Sequence, residues 1–173
     1  MFFLAWDKLI FSFFHHWSGY RIPALVFGFL TFLGDGWFAL LVTVALWIWE
    51  KHRLKAPART ARALFWTCLS SGILAQIVKY LVRRPRPLGP SPTSFPSGHA
   101  ATAFTMAVIL TRRWPRWGWL FWSLAVLVGI SRMVLGWHYP LDVMAGACLG
   151  MATAWVYLRR FHQRKKEGPS PPK

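Results

Sequence analysis

Residues 131–142 read Ser-Arg-Met-Val-Leu-Gly-Trp-His-Tyr-Pro-Leu-Asp, and this stretch ends one long apolar segment and begins the next. Five residues separate Arg132 from His138, and three more separate His138 from Asp142. A separation of four places His138 and Asp142 one turn apart on one face of a helix. The stretch therefore predicts an imidazole at a helix start whose tautomer a carboxylate can fix.

Two earlier motifs add cations, a helix start and a second imidazole: Lys79 with Arg86-Pro87 after six intervening residues, and Pro96-Ser97-Gly98-His99. The three cations repel one another unless an anion lies among them. Phosphate fits, because arginine binds pairs of oxygen atoms and lysine acts as a point charge. At the helix start, a glycine lets the backbone approach closely and free N–H groups point at the anion. The predicted phosphate-binding residues are Lys79, Arg86, Ser97, Gly98 and Arg132.

The composition indicates a membrane protein. Of its 173 residues, 55% are hydrophobic and 17% aromatic, including 12 Trp. A soluble domain of this size cannot hide so much apolar surface. The net charge of +16 comes from cations placed between long apolar runs, which fits membrane topology and anionic lipid better than nucleic acid. We therefore predict membrane lipids as partners and no nucleic acid, and the sequence leaves the oligomeric state open.

Hydropathy predicts an all-α integral membrane helical bundle with five or six transmembrane helices. Four segments are long enough to span a bilayer, and they cover residues 22–49, 63–82, 117–137 and 139–158. Residues 99–111 form a shorter, moderately apolar candidate. The predicted units are an N-terminal interfacial helix or short first span (1–21), a transmembrane core (22–160) and a basic, Pro-rich cytoplasmic tail (161–173).

The basic linkers predict the orientation of the spans. Cations cluster in three regions, at residues 51–62, 112–116 and 159–166. These regions alternate so that they lie on one side, which the positive-inside rule makes cytoplasmic, together with the C-terminus. The Pro/Ser-rich residues 88–96 belong on the opposite face. All three motifs then reach the periplasmic or extracellular face of the cytoplasmic (inner) membrane, where an active site is expected.

The side chains of the motifs suggest a phosphoryl transfer without metal or other cofactor. His138 attacks phosphorus, Asp142 orients its imidazole, and His99 protonates the leaving oxygen and later activates water. The cations and backbone N–H groups hold the equatorial oxygens as charge builds. The motifs contain one carboxylate, Asp142, which argues against a two-metal mechanism.

The three motifs together resemble the membrane-bound type-2 phosphatidic acid phosphatase superfamily, whose site is shared with vanadium haloperoxidases and acid phosphatases. They match without a gap or substitution over residues 79–142. The resemblance implies a helical bundle, usually of six spans, and metal-independent hydrolysis of lipid phosphates. It also implies His138 as nucleophile, Asp142 as its partner and His99 as acid, with the phosphate ligands named above.

Several functions remain open at this point. The leading hypothesis is hydrolysis of a lipid phosphate or pyrophosphate in the outer leaflet, with undecaprenyl pyrophosphate or phosphatidylglycerophosphate favoured. A lipid A 1-phosphate and phosphatidic acid are alternatives. Vanadate-dependent halide oxidation and non-catalytic lipid binding are more distant. The intact pair of imidazoles argues against binding alone, because binding needs only the cations.

Five further residues have two interpretations each. Arg83 and Arg84 either attract anionic headgroups or are interface charges. Asp35, in Gly34-Asp35-Gly36, either pairs with a cation near the site, if its span is broken or tilted, or caps a helix broken at the glycines. Gly146 and Gly150 have the spacing of helix packing, and we favour packing over ligand contact.

Overall fold

The computed structural model describes residues 2–89 and 91–166, and within these ranges the chain forms helices and loops without a strand. The predicted all-α class is confirmed. The helices are α1 (Phe2–His15), α2 (Arg21–Phe32), α3 (Gly36–Ile48), α4 (Arg59–Val82), α5 (Gly98–Arg113), α6 (Gly118–Val134) and α7 (Pro140–Lys166). Short helical turns at His16–Gly19, Trp49–Arg53 and Pro115–Trp117 join some of them.

Helices α2 and α3 divide the segment 22–49 that hydropathy predicts as one candidate span, and the break considered for the glycines beside Asp35 is present. They meet at a bend of 52°, and the break falls at Leu33–Asp35. A Cβ atom on Gly34 would lie 2.6 Å from Cγ1 of Val128 in α6 and 2.9 Å from the carbonyl oxygen of His99 in α5. The break therefore brings the chain into close backbone contact with the start of α5.

Helix α5 forms the centre of the bundle. It packs against α4, α6 and α7, and small residues such as Ala100, Ala101 and Ala107 are almost completely buried. Small side chains allow neighbouring helices to approach closely. This position explains the moderate hydropathy of α5, because a helix surrounded by protein needs no large apolar face towards lipid.

The outer surface of the bundle is strongly apolar. Large side chains such as Ile22, Phe29, Trp37 and Leu81 are each at least 69% exposed, as expected for a surface that faces lipid rather than water. Among the described helices, three are long and apolar enough to cross a membrane: Arg59–Val82, Pro115–Val134 and Pro140–Arg160. The bent pair Arg21–Phe32 and Gly36–Arg53 makes a fourth candidate if it is one span.

Gly146 and Gly150 line the contact between α7 and α5. A Cβ atom on Gly146 would lie 2.3 Å from the carbonyl oxygen of Ser97, and one on Gly150 would lie 2.2 Å from that of Ala101. Such distances are shorter than any ordinary contact. The packing role predicted for these two glycines is therefore confirmed.

Helix α7 continues to Lys166, into the segment predicted as the cytoplasmic tail. Residues 167–173, where we place the Pro-rich end of that tail, lie outside the described residues. Nothing in the described chain tests the predicted division into three units.

Candidate active site

The three motifs meet at one end of the bundle. Lys79 lies in the last turn of α4, and Arg132 lies near the end of α6. Ser97 precedes α5, and Asp142 lies in the first turn of α7. The backbone N–H of Ser97 donates to the carbonyl oxygen of Asp142 at 2.8 Å, which joins the starts of α5 and α7. The convergence predicted from hydropathy is therefore present in the fold.

The turn after α6 connects Arg132 to His138. Gly136 has φ of +76°, a left-handed conformation that glycine adopts without strain. Beyond it, the N–H groups of Trp137 and His138 both donate to the carbonyl oxygen of Arg132, at 3.0 and 3.2 Å. The guanidinium and the imidazole of the third motif are therefore held by one compact turn.

An indole ring lies beside two of the predicted phosphate ligands. The guanidinium carbons of Arg86 and Arg132 lie 5.0 and 5.7 Å from the ring centroid of Trp137, within the range of cation–π attraction. The Nε atoms of both arginines are buried and have no hydrogen-bond partner within the described part of the chain. Trp137 is not among the predicted site residues, because nothing in the sequence distinguishes it from the eleven other tryptophans.

The broken span contributes two residues near the site, Thr31 in α2 and Asp35 just before α3. The Nη1 of Arg132 donates to the hydroxyl of Thr31 at 2.6 Å, a contact that the sequence does not predict. Asp35 is the N-cap of α3 and accepts a weak hydrogen bond of 3.4 Å from the N–H of Trp37. Its charge also acts on Arg132 and His99. The capping role is therefore confirmed, since the span is indeed broken, and no ion pair of Asp35 with a cation occurs among the described residues.

The predicted pair of His138 and Asp142 is close but not hydrogen-bonded. The Nδ1 of His138 lies 3.8 Å from Oδ2 of Asp142, which exceeds hydrogen-bond length, and it is buried without a partner among the described residues. Burial lowers the pKa of the His138 imidazole below its ordinary value, with Arg132 and Lys79 acting in the same direction and Asp142 opposing them.

Both carboxylate oxygens of Asp142 are already engaged. Oδ2 accepts from the hydroxyl of Ser94 and from the N–H of Tyr139, the latter at 2.9 Å. Oδ1 accepts from Nη1 of Arg84 at 2.6 Å. Neither Ser94 nor Arg84 was predicted as a partner of this carboxylate. For Arg84 both sequence readings are wrong, because it is an interior ion-pair residue rather than a headgroup attractor or an interface charge.

Ser97 uses both of its polar groups inside the protein. Its N–H binds Asp142, as described above, and its side chain caps α5 by accepting from the N–H of Ala100 at 3.4 Å. The candidates for anion contact at this helix start are the N–H groups of Gly98 and His99, since first-turn N–H groups have no partner within the helix, and the O–H of Ser97, which can donate while its oxygen accepts. The predicted contact of Ser97 with phosphate stays untested.

His99 faces a large apolar groove. The groove has a volume of about 770 Å³, runs between α3 and α4, and is lined at one end by Lys79, Gly98 and His99. The imidazole of His99 also lies within reach of the charges on Arg132, His138 and Lys79. The second imidazole is thus placed between the cation cluster and the groove.

Comparison with known proteins identifies the family. The sequence model of the PAP2 superfamily matches residues 60–166. The chain belongs to the PAP2 superfamily. Together with the apolar spans, this membership makes it a multi-pass membrane protein, and it confirms the resemblance that the three motifs indicated.

Two curated PAP2-type relatives illustrate the range of activities. An undecaprenyl-diphosphatase of Sulfolobus acidocaldarius is 34% identical over 140 residues, which cover 74% of the chain and 64% of that protein. A lipid A 1-phosphatase of Rhizobium etli is 31% identical over 161 residues, covering 75% of the chain and 69% of that protein. The chain therefore spans about two thirds of the length of these relatives.

Two solved PAP2 structures share the fold. The structure of Aquifex aeolicus LpxE has a TM-score of 0.77, with 88% of the chain and 94% of that chain covered. A transmembrane PAP2-type phosphatidylglycerolphosphate phosphatase from Bacillus subtilis has a TM-score of 0.80, with 92% and 86% covered. Both are 24% identical to the chain, so the likeness is one of fold.

Proposed function

We propose that this protein is an integral membrane phosphatase that hydrolyses a lipid phosphate monoester or pyrophosphate through a phosphohistidine intermediate. The observation that carries the proposal is the placement of a buried imidazole, His138, at the same bundle end as three cations, one of which, Lys79, lines an apolar groove together with His99. The cations suit a phosphate, and the groove suits the hydrocarbon tail that the phosphate carries.

Unsatisfied donors support an anion site between the arginines. A buried N–H without a partner costs free energy, of the order of 1–3 kcal/mol. The Nε–H groups of Arg86 and Arg132 are both buried and have no hydrogen-bond partner within the described chain. A phosphate oxygen near Trp137 would accept from both, and Lys79 would add a third positive charge to the same anion.

The proposed reaction has two in-line steps. Since Nδ1 of His138 faces Asp142 at 3.8 Å, Nε2 is the nitrogen that attacks phosphorus. The bond to the leaving oxygen breaks, and His99 gives that oxygen a proton. In the second step a water gives a proton to His99 and attacks the phosphohistidine, which releases inorganic phosphate and restores neutral His138.

The groove supports a lipid rather than a water-soluble substrate. Its walls are mostly apolar, and Lys79 and His99 lie at one end of it. The residues that form it include Leu40, Phe65, Leu69, Ile73 and Ile77. A headgroup at the cations would leave its tail between α3 and α4. Undecaprenyl pyrophosphate and phosphatidylglycerophosphate remain the favoured substrates, with lipid A 1-phosphate and phosphatidic acid as alternatives.

The deciding experiment is phosphate release from a panel of substrates by the purified protein. The panel contains the four lipids just named and a water-soluble phosphate monoester. We expect release from at least one lipid, faster than from the soluble ester. Absence of release from every lipid phosphate would refute the proposal. Halide oxidation with added vanadate would then favour a haloperoxidase, and lipid binding alone a non-catalytic protein.

Membrane orientation belongs to the same proposal. We place five or six spans in the cytoplasmic membrane, with α5 as the short interior span and α1 as an interfacial helix or short first span. The positively charged linkers place the site on the periplasmic or extracellular face and the C-terminus in the cytoplasm. A cysteine-labelling experiment with a membrane-impermeant reagent at the exposed Leu88 would test this orientation.

On the acid side of the pH profile, kcat/KM is expected to fall with a midpoint below about 6.5, the ordinary pKa of histidine. A protonated imidazole has no free electron pair, so activity is lost as pH falls through the lowered pKa of His138. The measurement is kcat/KM against pH, corrected for the ionisation of the lipid phosphate measured by ³¹P NMR. A corrected midpoint at or above 6.5 would contradict a neutral, buried nucleophile.

Chelation with EDTA is expected to leave the rate of phosphate release nearly unchanged. The proposed steps use imidazoles and cations, and among the described residues no group of three His, Cys, Asp or Glu side chains is placed to hold a metal ion. Initial rates are compared before EDTA, after it, and after addition of excess Mg²⁺. A loss that Mg²⁺ restores would disprove the mechanism.

A further inference from the structure

A chain of three charged side chains runs from the N-terminal helix to the site. The Nη1 of Arg84 donates to Oδ1 of Asp142 at 2.6 Å, and its Nη2 donates to Oδ2 of Asp7 in α1. The side chains of Arg84, Asp7 and Asp142 are 13%, 4% and 0% exposed. We call this the Asp7–Arg84–Asp142 chain.

Arg84 contacts three side chains of the described chain. Besides its two carboxylate partners, its guanidinium carbon lies 4.4 Å from the ring centroid of Tyr139. Burial alone would lower the pKa of the Arg84 guanidinium, but Asp7 and Asp142 outweigh that effect and raise it. Arg86 and Arg132, in contrast, have buried Nε groups without partners in the described chain. Arg84 is therefore not equivalent to the phosphate-binding cations.

Asp7 also holds the helix that carries Asp142. Its Oδ1 accepts from the N–H of Leu141 at 2.9 Å, in the first turn of α7. A carboxylate at a helix N-terminus satisfies a free N–H and interacts favourably with the helix dipole. One side chain of α1 thus fixes both the arginine that binds Asp142 and the backbone next to Asp142.

We propose that Arg84 and Asp7 are positioning residues, which fix the carboxylate of Asp142 against His138 and make helix α1 a working part of the site. The geometry leaves Asp142 little freedom, because Arg84 holds Oδ1 while Ser94 and Tyr139 hold Oδ2. Oδ2 is the oxygen that faces Nδ1 of His138. The inference rests on the proposed phosphatase function, because it assigns these residues a role in that reaction.

Charge balance explains why the second carboxylate is needed. A fully buried Asp142 without a cation would be strongly unfavourable, and Arg84 supplies that cation. Lys79, Arg86 and Arg132 already crowd positive charge at the same end of the bundle. Asp7 compensates the additional guanidinium through a second ion pair.

The test is a double-mutant cycle on the full-length protein, with a lipid phosphate as substrate. Asp7→Asn keeps an oxygen for the N–H of Leu141 but removes the charge, and Arg84→Gln removes the guanidinium. Each is expected to lower kcat about 10- to 100-fold, as loss of a supporting hydrogen-bond partner does elsewhere, with KM nearly unchanged. The double variant is expected to be no worse than Arg84→Gln alone, and Arg84→Lys to recover part of kcat.

Matched controls are the neighbouring exposed cations. Lys8 is exposed on α1, and Arg83 is exposed and donates from Nε to the carbonyl of Tyr80 at 3.2 Å, as an interface charge would. Lys8→Gln and Arg83→Gln are expected to leave kcat and KM unchanged. The thermal unfolding midpoint of every variant is measured in the same detergent.

The outcomes separate the inference from the function on which it rests. A raised KM with unchanged kcat in Arg84→Gln would show phosphate binding instead of positioning and overturn the inference. Additive effects of the two substitutions would also overturn it. A lower unfolding midpoint in Asp7→Asn without a change in kcat would overturn it as well, because Asp7 would then only cap α7. Wild-type protein that releases no phosphate from any lipid would defeat the proposed function itself.

Discussion

Replacement of His138 by alanine is expected to reduce kcat by at least about 10³-fold, the scale on which loss of a covalent nucleophile acts. The residue is 1% exposed, and its Nδ1 lies beside Asp142. Alanine removes the nitrogen that we propose as the nucleophile but leaves Lys79, Arg86 and Arg132 in place. Binding of the lipid phosphate should therefore survive, and because turnover stops, it can be measured directly with the substrate itself.

The matched control is His52→Ala, since His52 is exposed in the turn after α3. It should retain wild-type kcat. Chemical trapping adds a second readout, because a phosphohistidine is stable in alkali and should appear in the wild-type protein during turnover but not in His138→Ala. Turnover that persists in His138→Ala would eliminate this residue as the nucleophile.

Gly146→Ala is expected to lower kcat/KM on the order of 10²-fold, the cost of a displacement of about 1 Å at a reacting centre. The added Cβ would lie 2.3 Å from the carbonyl oxygen of Ser97 and 3.2 Å from Cβ of Ala100. Backbone cannot move aside as a flexible side chain does. Helix α7 must therefore move away from the start of α5. This movement separates Asp142 and His138 from Gly98 and His99.

Gly28→Ala is the control for this substitution. Gly28 also lies inside a helix, α2, but its added Cβ would meet nothing within 4 Å. Both substitutions increase the intrinsic helix propensity by roughly 1 kcal/mol. Any difference in kcat/KM between the two variants therefore reports the contact with α5. Activity of Gly146→Ala equal to that of Gly28→Ala would show that the two helices can separate without affecting the site.

Much of the fold was predictable because hydropathy and helix length are local properties. Spans were predicted at residues 63–82, 117–137 and 139–158, which overlap α4, α6 and α7, and these three regions are long and apolar enough to cross a membrane. The bend at Gly34 was not predicted as such, because Leu33–Asp35 is too short to lower the hydropathy of its segment. At the bend, Gly34 lies close to Val128 and His99, which are far away in the sequence.

The meeting of the motif residues at one end of the bundle was predictable for a similar reason. Consecutive spans reverse direction, so residues at alternate helix ends reach one surface, and Lys79, Arg132 and Asp142 do so. The partners of those residues were not predictable, and Thr31, Ser94 and Trp137 illustrate this. Each owes its role to a neighbour brought near by the packing of helices, and none has a local pattern that would distinguish it.

The amino-acid sequence by itself determined which chemical groups this protein has and at which helix ends they lie, because motif spacing and apolar length act along the chain. Only the tertiary structure decided what orients those groups. Arg84 lies 58 residues from Asp142 and 77 from Asp7, and Arg132 lies 101 from Thr31. Contacts over such separations depend on how rigid helices pack in three dimensions, and no periodicity along one helix encodes them.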